Sequence, residues 1–128
     1  MFVYGTLRRG GALELVYFDD DVRRERAILP GYRLYYAPHT NQYPVAVPNL
    51  GDDQGEIIGE LVYADHDDIA RALQMEINAG YAATLVTPTI ESWRVVRERV
   101  VAVAAIWPTR RVGRRIGSGD WQQRWVRL

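Results

Sequence analysis

"VYGTLRRG", residues 3–10, is preceded by Met1 and Phe2 and followed by Gly11. The apolar run Phe2-Val3-Tyr4 meets a glycine, a hydroxyl residue and Leu7, then two arginines and the Gly10-Gly11 pair. Residues 2–4 read as a strand that ends in a tight turn with exposed backbone. The turn lacks the Gly-Lys-Ser/Thr ending of a Walker A loop and the G-x-G-x-x-G spacing of a dinucleotide fingerprint. It is also not the G-x-S-x-G of a nucleophile elbow. Gly5 permits a positive φ and lets a ligand approach the main chain. Successive free N–H groups in such a turn can bind an anion or a developing oxyanion. Taken alone, however, Gly5 is better read as an ordinary tight turn.

The segments that follow are mostly strands. Residues 12–18 suit a short helix or turn, and Asp19-Asp20-Asp21 a solvated turn. Residues 22–29 alternate in part with period two, Pro30-Gly31 marks a turn, and the tyrosine-rich 32–37 reads as the next strand. Residues 38–54 read as loop around a short strand at 43–47. Residues 55–64 read as a strand whose internal Gly59 marks a bulge or a close backbone approach. Residues 65–78 form the clearest helix, with Asp65 and Asp68 as an acidic capping box and Gly80 as the stop. Residues 81–90 and 97–108 read as two further strands, ahead of a basic, aromatic tail. Many strands and one good helix are not a βαβ alternation. The expectation is one domain over residues 1–128, α+β, with a curved and mostly antiparallel sheet that could close into a small barrel.

Composition narrows the function classes. Sixteen acids balance sixteen bases, so no global field draws the chain to nucleic acid or a membrane. All the bases are arginine, which reads as the drift of a GC-rich genome. Without cysteine there is no disulfide framework, thiolate nucleophile or Cys-ligated metal. No apolar run approaches a membrane span, and no signal-peptide pattern opens the chain. A cytoplasmic protein is expected.

On a helical wheel Ile69, Ala72 and Leu73 define one apolar face of the 65–78 helix, and Ile77 extends it. Glu76 falls on that face, while Asp67, Arg71 and Gln74 lie opposite. Glu76 also sits in the last turn, where the helix dipole disfavours negative charge, and partial burial disfavours it too. Both raise a carboxyl pKa toward the range useful to a general acid or base. Two ordinary readings stand beside this one: the helix ends by Met75 and leaves Glu76 in a loop, or Glu76 pairs with an arginine. The pattern alone does not choose between them.

"FVYGTLRRGG" (2–11) resembles the opening motif of the gamma-glutamylcyclotransferase-like superfamily, most closely its gamma-glutamylamine cyclotransferase (avirulence-induced-gene-like) branch. Further resemblances follow in order: "LPGYRLY" (29–35), "YPVAV" (43–47), "GEIIGELVYAD" (55–65), "ALQMEINAGYAATLV" (72–86) and "IGSGDW" (116–121). The resemblance implies a small mixed β-barrel with flanking helices and a site at its mouth. It implies Glu76 as the catalytic residue, with Tyr4, Gly5, Thr6, Leu7 and Tyr81 binding substrate. The reaction implied is conversion of a gamma-glutamyl amide to 5-oxoproline and a free amine, with no metal and no organic cofactor. The alternative is a non-catalytic small-ligand binder on the same fold. Two departures bear on loop shape and substrate preference. The family's Glu-Gly is Glu76-Ile77 here, and its Tyr-x-Arg is Tyr81-Ala82-Ala83.

Other chemistry-bearing residues have plainer readings. Asp65-His66-Asp67-Asp68 suits a helix cap more than a metal site. His39 reads as a surface residue, and two histidines make a zinc site improbable. "RRVGRR" (110–115) with Trp121 and Trp125 could grip nucleic acid, but reads better as a tail packing its tryptophans on the barrel. Tyr32, Tyr35 and Tyr36 read as sheet residues. The partner expected is a small gamma-glutamyl molecule, with no nucleic acid and no membrane, for a monomer or homodimer.

Overall fold

A computed structural model describes residues 1–49, 55–90 and 98–125. The readings of 50–54 as loop, 97 as strand and 126–128 as tail fall outside the described residues. The elements are β1 (Phe2–Val3), α1 (Glu14–Tyr17), β2 (Arg23–Pro30), β3 (Tyr32–Ala37), β4 (Thr40–Pro48) and β5 (Glu56–Tyr63). They continue with α2 (His66–Asn78), β6 (Ala82–Val86), β7 (Thr89–Ile90), β8 (Glu98–Arg99), β9 (Ala102–Ile106) and a 3-10 turn, Trp121–Gln123. The strands form one sheet ordered β1-β5-β2-β7-β8 and two pairs, β3-β4 and β6-β9. Every pairing is antiparallel.

The three sheets wrap one core in a barrel-like curl that the strand ladders do not close among the described residues. Backbone hydrogen bonds outside the ladders bridge the gaps. The Trp107 N–H donates to the Ala46 carbonyl, joining the end of β9 to β4. The Ile116 and Tyr36 N–H groups donate to the Leu34 and Arg114 carbonyls, which lays residues 114–116 along β3. The Ile58 N–H reaches the Gly119 carbonyl from β5.

The two long strands expected at 81–90 and 97–108 are each broken. Buried Pro88 separates β6 from β7, and Val100-Val101 separates β8 from β9. Proline supplies no ladder N–H, so the pair bends there and its halves join different sheets. The strand expected at 43–47 extends over 40–48 because β3 pairs with it, with a register irregularity at Tyr36/Ala37. Of the tail tryptophans, Trp121 packs into the core and Trp125 is 67% exposed.

β1 separates two apolar layers through the period-two alternation of a strand. Phe2 and Tyr4 enter the sheet-enclosed core with Leu29, Leu34, Val45 and Ile57. Met1 and Val3 face the other way, into a layer with Leu7, Phe18, Val62 and Ala72 of α2. Ile69 and Leu73 flank that second layer, as the wheel requires, and Met75 joins them. Ile77 does not extend the stripe, being 45% exposed. Nor does Asp65 cap α2 with its side chain. Asp68 lies 3.4 Å from Arg71, one turn further along, so the helix start rests on its acidic first turn and the dipole.

Gly59 lies where β1 crosses β5. A Cβ there would sit 2.3 Å from the Val3 carbonyl oxygen and 2.7 Å from the Phe2 ring. Of the two readings of an internal strand glycine, close approach is the one realised. Gly59→Ala should destabilise the fold by about 2 kcal/mol, since the clash is with backbone. Urea denaturation would show it, and a loss under about 0.5 kcal/mol would contradict this account of β1.

Candidate active site

α2 ends in a hydrogen-bonding pattern that fixes two side chains at once. Ala79 is the C-cap, and Gly80 follows in the left-handed region at φ 104°. The Gly80 N–H donates to the Ile77 carbonyl at 3.0 Å, and the Tyr81 N–H to the Glu76 carbonyl at 3.1 Å. This is a Schellman ending, in which glycine takes the left-handed residue without steric cost. The helix therefore runs past Met75, and the loop reading of Glu76 is set aside. The chain reverses so that Tyr81 returns beside Glu76.

Tyr81 packs edge-on against Trp107 and donates its hydroxyl to the Pro44 carbonyl on β4. Pro44 in turn covers Gly5. A Cβ on Gly5 would lie 2.9 Å from the proline ring. Gly5 does not have a positive φ, so its reason for being glycine is this packing and not its backbone conformation. Tyr4 donates its hydroxyl to the Ala105 carbonyl on β9.

Four segments far apart in sequence thus meet. Tyr4, Gly5, Thr6, Leu7, Glu76 and Tyr81 all line one cavity of about 270 Å³. Sequence reasoning did not reach the remaining walls, which include Leu13, Gln42, Tyr43, Met75, Ala79 and Ala105. Tyr43 carried a signal, since it opens the "YPVAV" segment. Its hydroxyl lies 2.5 Å from Nε2 of His39, so His39 is exposed but not idle.

Glu76 is half-buried in this wall. Burial pushes its carboxyl up from 4.5 to about 7. Burial also raises both phenols, and Glu76 adds to each, so Tyr4 and Tyr81 remain protonated. Glu76 is the one charged side chain among the described residues lining the cavity, and no arginine is paired with it there.

The glycine turn is held from behind. Within it, the Arg8 N–H donates to the Gly5 carbonyl and the Leu13 N–H to the Thr6 carbonyl. Arg24 of β2, its side chain only 5% exposed, donates to the Leu7 carbonyl at 3.1 Å and to Glu60 at 2.9 Å. Glu60 also accepts the Arg9 N–H, and Arg8 pairs with Asp120 of the tail. None of these holds the N–H groups of Gly5, Thr6 or Leu7, for which no acceptor stands among the described residues. The arrangement sets a carboxyl raised toward neutrality in the same cavity as a turn whose Gly5, Thr6 and Leu7 N–H groups have no partner among the described residues. Such a pair can move a proton and stabilise a negatively charged oxygen. Sequence reasoning missed Arg24 and Glu60, because one arginine among sixteen in a strand looks like surface.

The raised carboxyl also affects stability. A folded pKa above the unfolded one means that the native state keeps a proton the unfolded chain releases. Stability therefore falls as pH rises from about 4.5 to about 7. Relative to Glu76→Gln, wild-type protein should lose up to about 3 kcal/mol between about pH 4 and about pH 8 in urea titrations. A difference that does not vary with pH would contradict the burial of Glu76.

The family model described as gamma-glutamyl cyclotransferase, AIG2-like, matches residues 1–123. None of the curated proteins compared with the chain matches it. Among solved structures, an uncharacterized protein of Pyrococcus horikoshii is 26% identical with a TM-score of 0.69, over 96% of this chain and 89% of that one. YkqA of Bacillus subtilis is 28% identical with a TM-score of 0.70, over 96% of this chain but 39% of its own. An AIG2-like protein of Mus musculus shares the fold at 22% identity and a TM-score of 0.67, over 88% of this chain and 78% of that one. Among the described residues no helix is long and apolar enough to cross a membrane. The match spans nearly the whole chain, and the chain belongs to the gamma-glutamyl cyclotransferase, AIG2-like family.

Proposed function

We propose that the chain converts a gamma-glutamyl amide to 5-oxoproline and a free amine, with Glu76 as general base and then general acid. Family membership supports a cyclotransferase-type function in general. The observation that carries the finer reading is the sharing of one cavity by Glu76 and the Gly5-Thr6-Leu7 backbone.

The Glu76 carboxylate takes a proton from the substrate's α-ammonium, and the freed amine attacks its own γ-carbonyl carbon. The new ring C–N bond forms while the carbonyl oxygen gains negative charge. That oxygen or the α-carboxylate is received by the N–H groups of the turn. The Glu76 carboxyl then returns a proton to the leaving nitrogen as the old C–N bond breaks. The ring nitrogen gives up its remaining excess proton to solvent. No enzyme nucleophile is required, which suits a chain without cysteine. Tyr4 and Tyr81, their hydroxyls tied to backbone carbonyls, act as fixed walls that hold the glutamyl head folded for ring closure. A non-catalytic binder has no evident use for a carboxyl poised near neutrality, so that reading is not favoured.

Release of 5-oxoproline from gamma-glutamyl amides tests the reading. Wild-type kcat/KM should rise with pH through a single ionisation near 7, the base being active only when deprotonated. Glu76→Gln should lower kcat by roughly 10²–10⁴-fold while still binding 5-oxoproline. A mutant that turns over at the wild-type rate would overturn the assignment of Glu76.

A further inference from the structure

The cavity has two unlike ends. Its deep end holds the buried Tyr4, Leu7 and Tyr81 with half-buried Glu76, the groups assigned above to the gamma-glutamyl head. Its rim is formed by exposed Ala12 and Ala79 with half-buried Leu13 and Met75, all apolar, and by the uncharged Gln42 and Tyr43. With the head seated deep, the departing amine's substituent lies along that rim.

We propose that the amine released carries an uncharged, apolar substituent, so that the substrates are gamma-glutamyl amides of hydrophobic amines and not of diamines, polyamines or amino acids. The inference rests on the cyclotransferase reading of the same cavity. An alkyl chain laid on Ala12, Leu13, Met75 and Ala79 removes apolar surface from water on both sides. An ammonium or carboxylate laid against the same side chains gives up part of its hydration and meets no side chain of opposite charge among those lining the rim. Glu76, the charged wall residue among those described, is committed to the proton transfer at the deep end.

Three gamma-glutamyl amides of matched length test this: the n-hexyl amide, the 5-aminopentyl amide and the 5-carboxypentyl amide. The hexyl amide should exceed both charged amides at least tenfold in kcat/KM, mainly through KM. Ala79→Glu, a change at the exposed end of α2, should shrink that advantage over the aminopentyl amide and leave the carboxypentyl amide poorer still. An aminopentyl or carboxypentyl amide used as well as the hexyl amide would overturn the inference and leave the cyclotransferase reading standing. Absence of 5-oxoproline from all three, with folded protein, would overturn that reading and this inference with it.

Discussion

The hydrogen bond from the Tyr81 N–H to the Glu76 carbonyl is the constraint on which the candidate site depends. It forms only because Gly80 turns left-handed at the end of α2. A side chain at Gly80 would meet both an unfavourable φ and the Trp107 ring, 3.3 Å from its Cβ. The same turn sends Tyr81 to Pro44, and Pro44 lies over Gly5. One helix ending thereby sets the spacing between the carboxyl and the glycine turn, although neither touches the other in sequence.

A second constraint keeps the turn rigid from the opposite side. Arg24 and Glu60 lie on neighbouring strands, paired in register through Arg24↔Val62 and Arg26↔Glu60. Their charges meet the backbone of the turn instead of solvent. A buried charge that is hydrogen-bonded to main chain is costly to disturb. The turn's remaining N–H groups are therefore held in place rather than free to fold back. A backbone fixed in advance is one requirement of a preorganised anion site.

Much of this was legible in the sequence. The position of Glu76 on an apolar face, the stop at Gly80, the partial alternation in β2 and the turn at Pro30-Gly31 before β3 all express local periodicity and propensity. Local rules do not show where a strand changes sheet, so the breaks at Pro88 and Val100-Val101 were read through. Nor do they show why residue 5 is glycine, since the cause is Pro44, distant in sequence. The departures from the family pattern fall at the end of α2 and at the start of β6. α2 continues past Glu76 through Ile77 to Asn78, and the glycine of its ending is Gly80. Ala82 and Ala83 stand on β6 and are not among the residues that line the cavity.

The central claim is that the glycine turn and Glu76 form one site for a gamma-glutamyl head. It is tested most directly by following backbone amide resonances of ¹⁵N-labelled protein during titration with 5-oxoproline. The account predicts that Gly5, Thr6 and Leu7 shift together and saturably. It predicts too that the same titration moves the amides of Glu76 and Tyr81. Shifts confined to other surfaces, or none at high concentration, would contradict it.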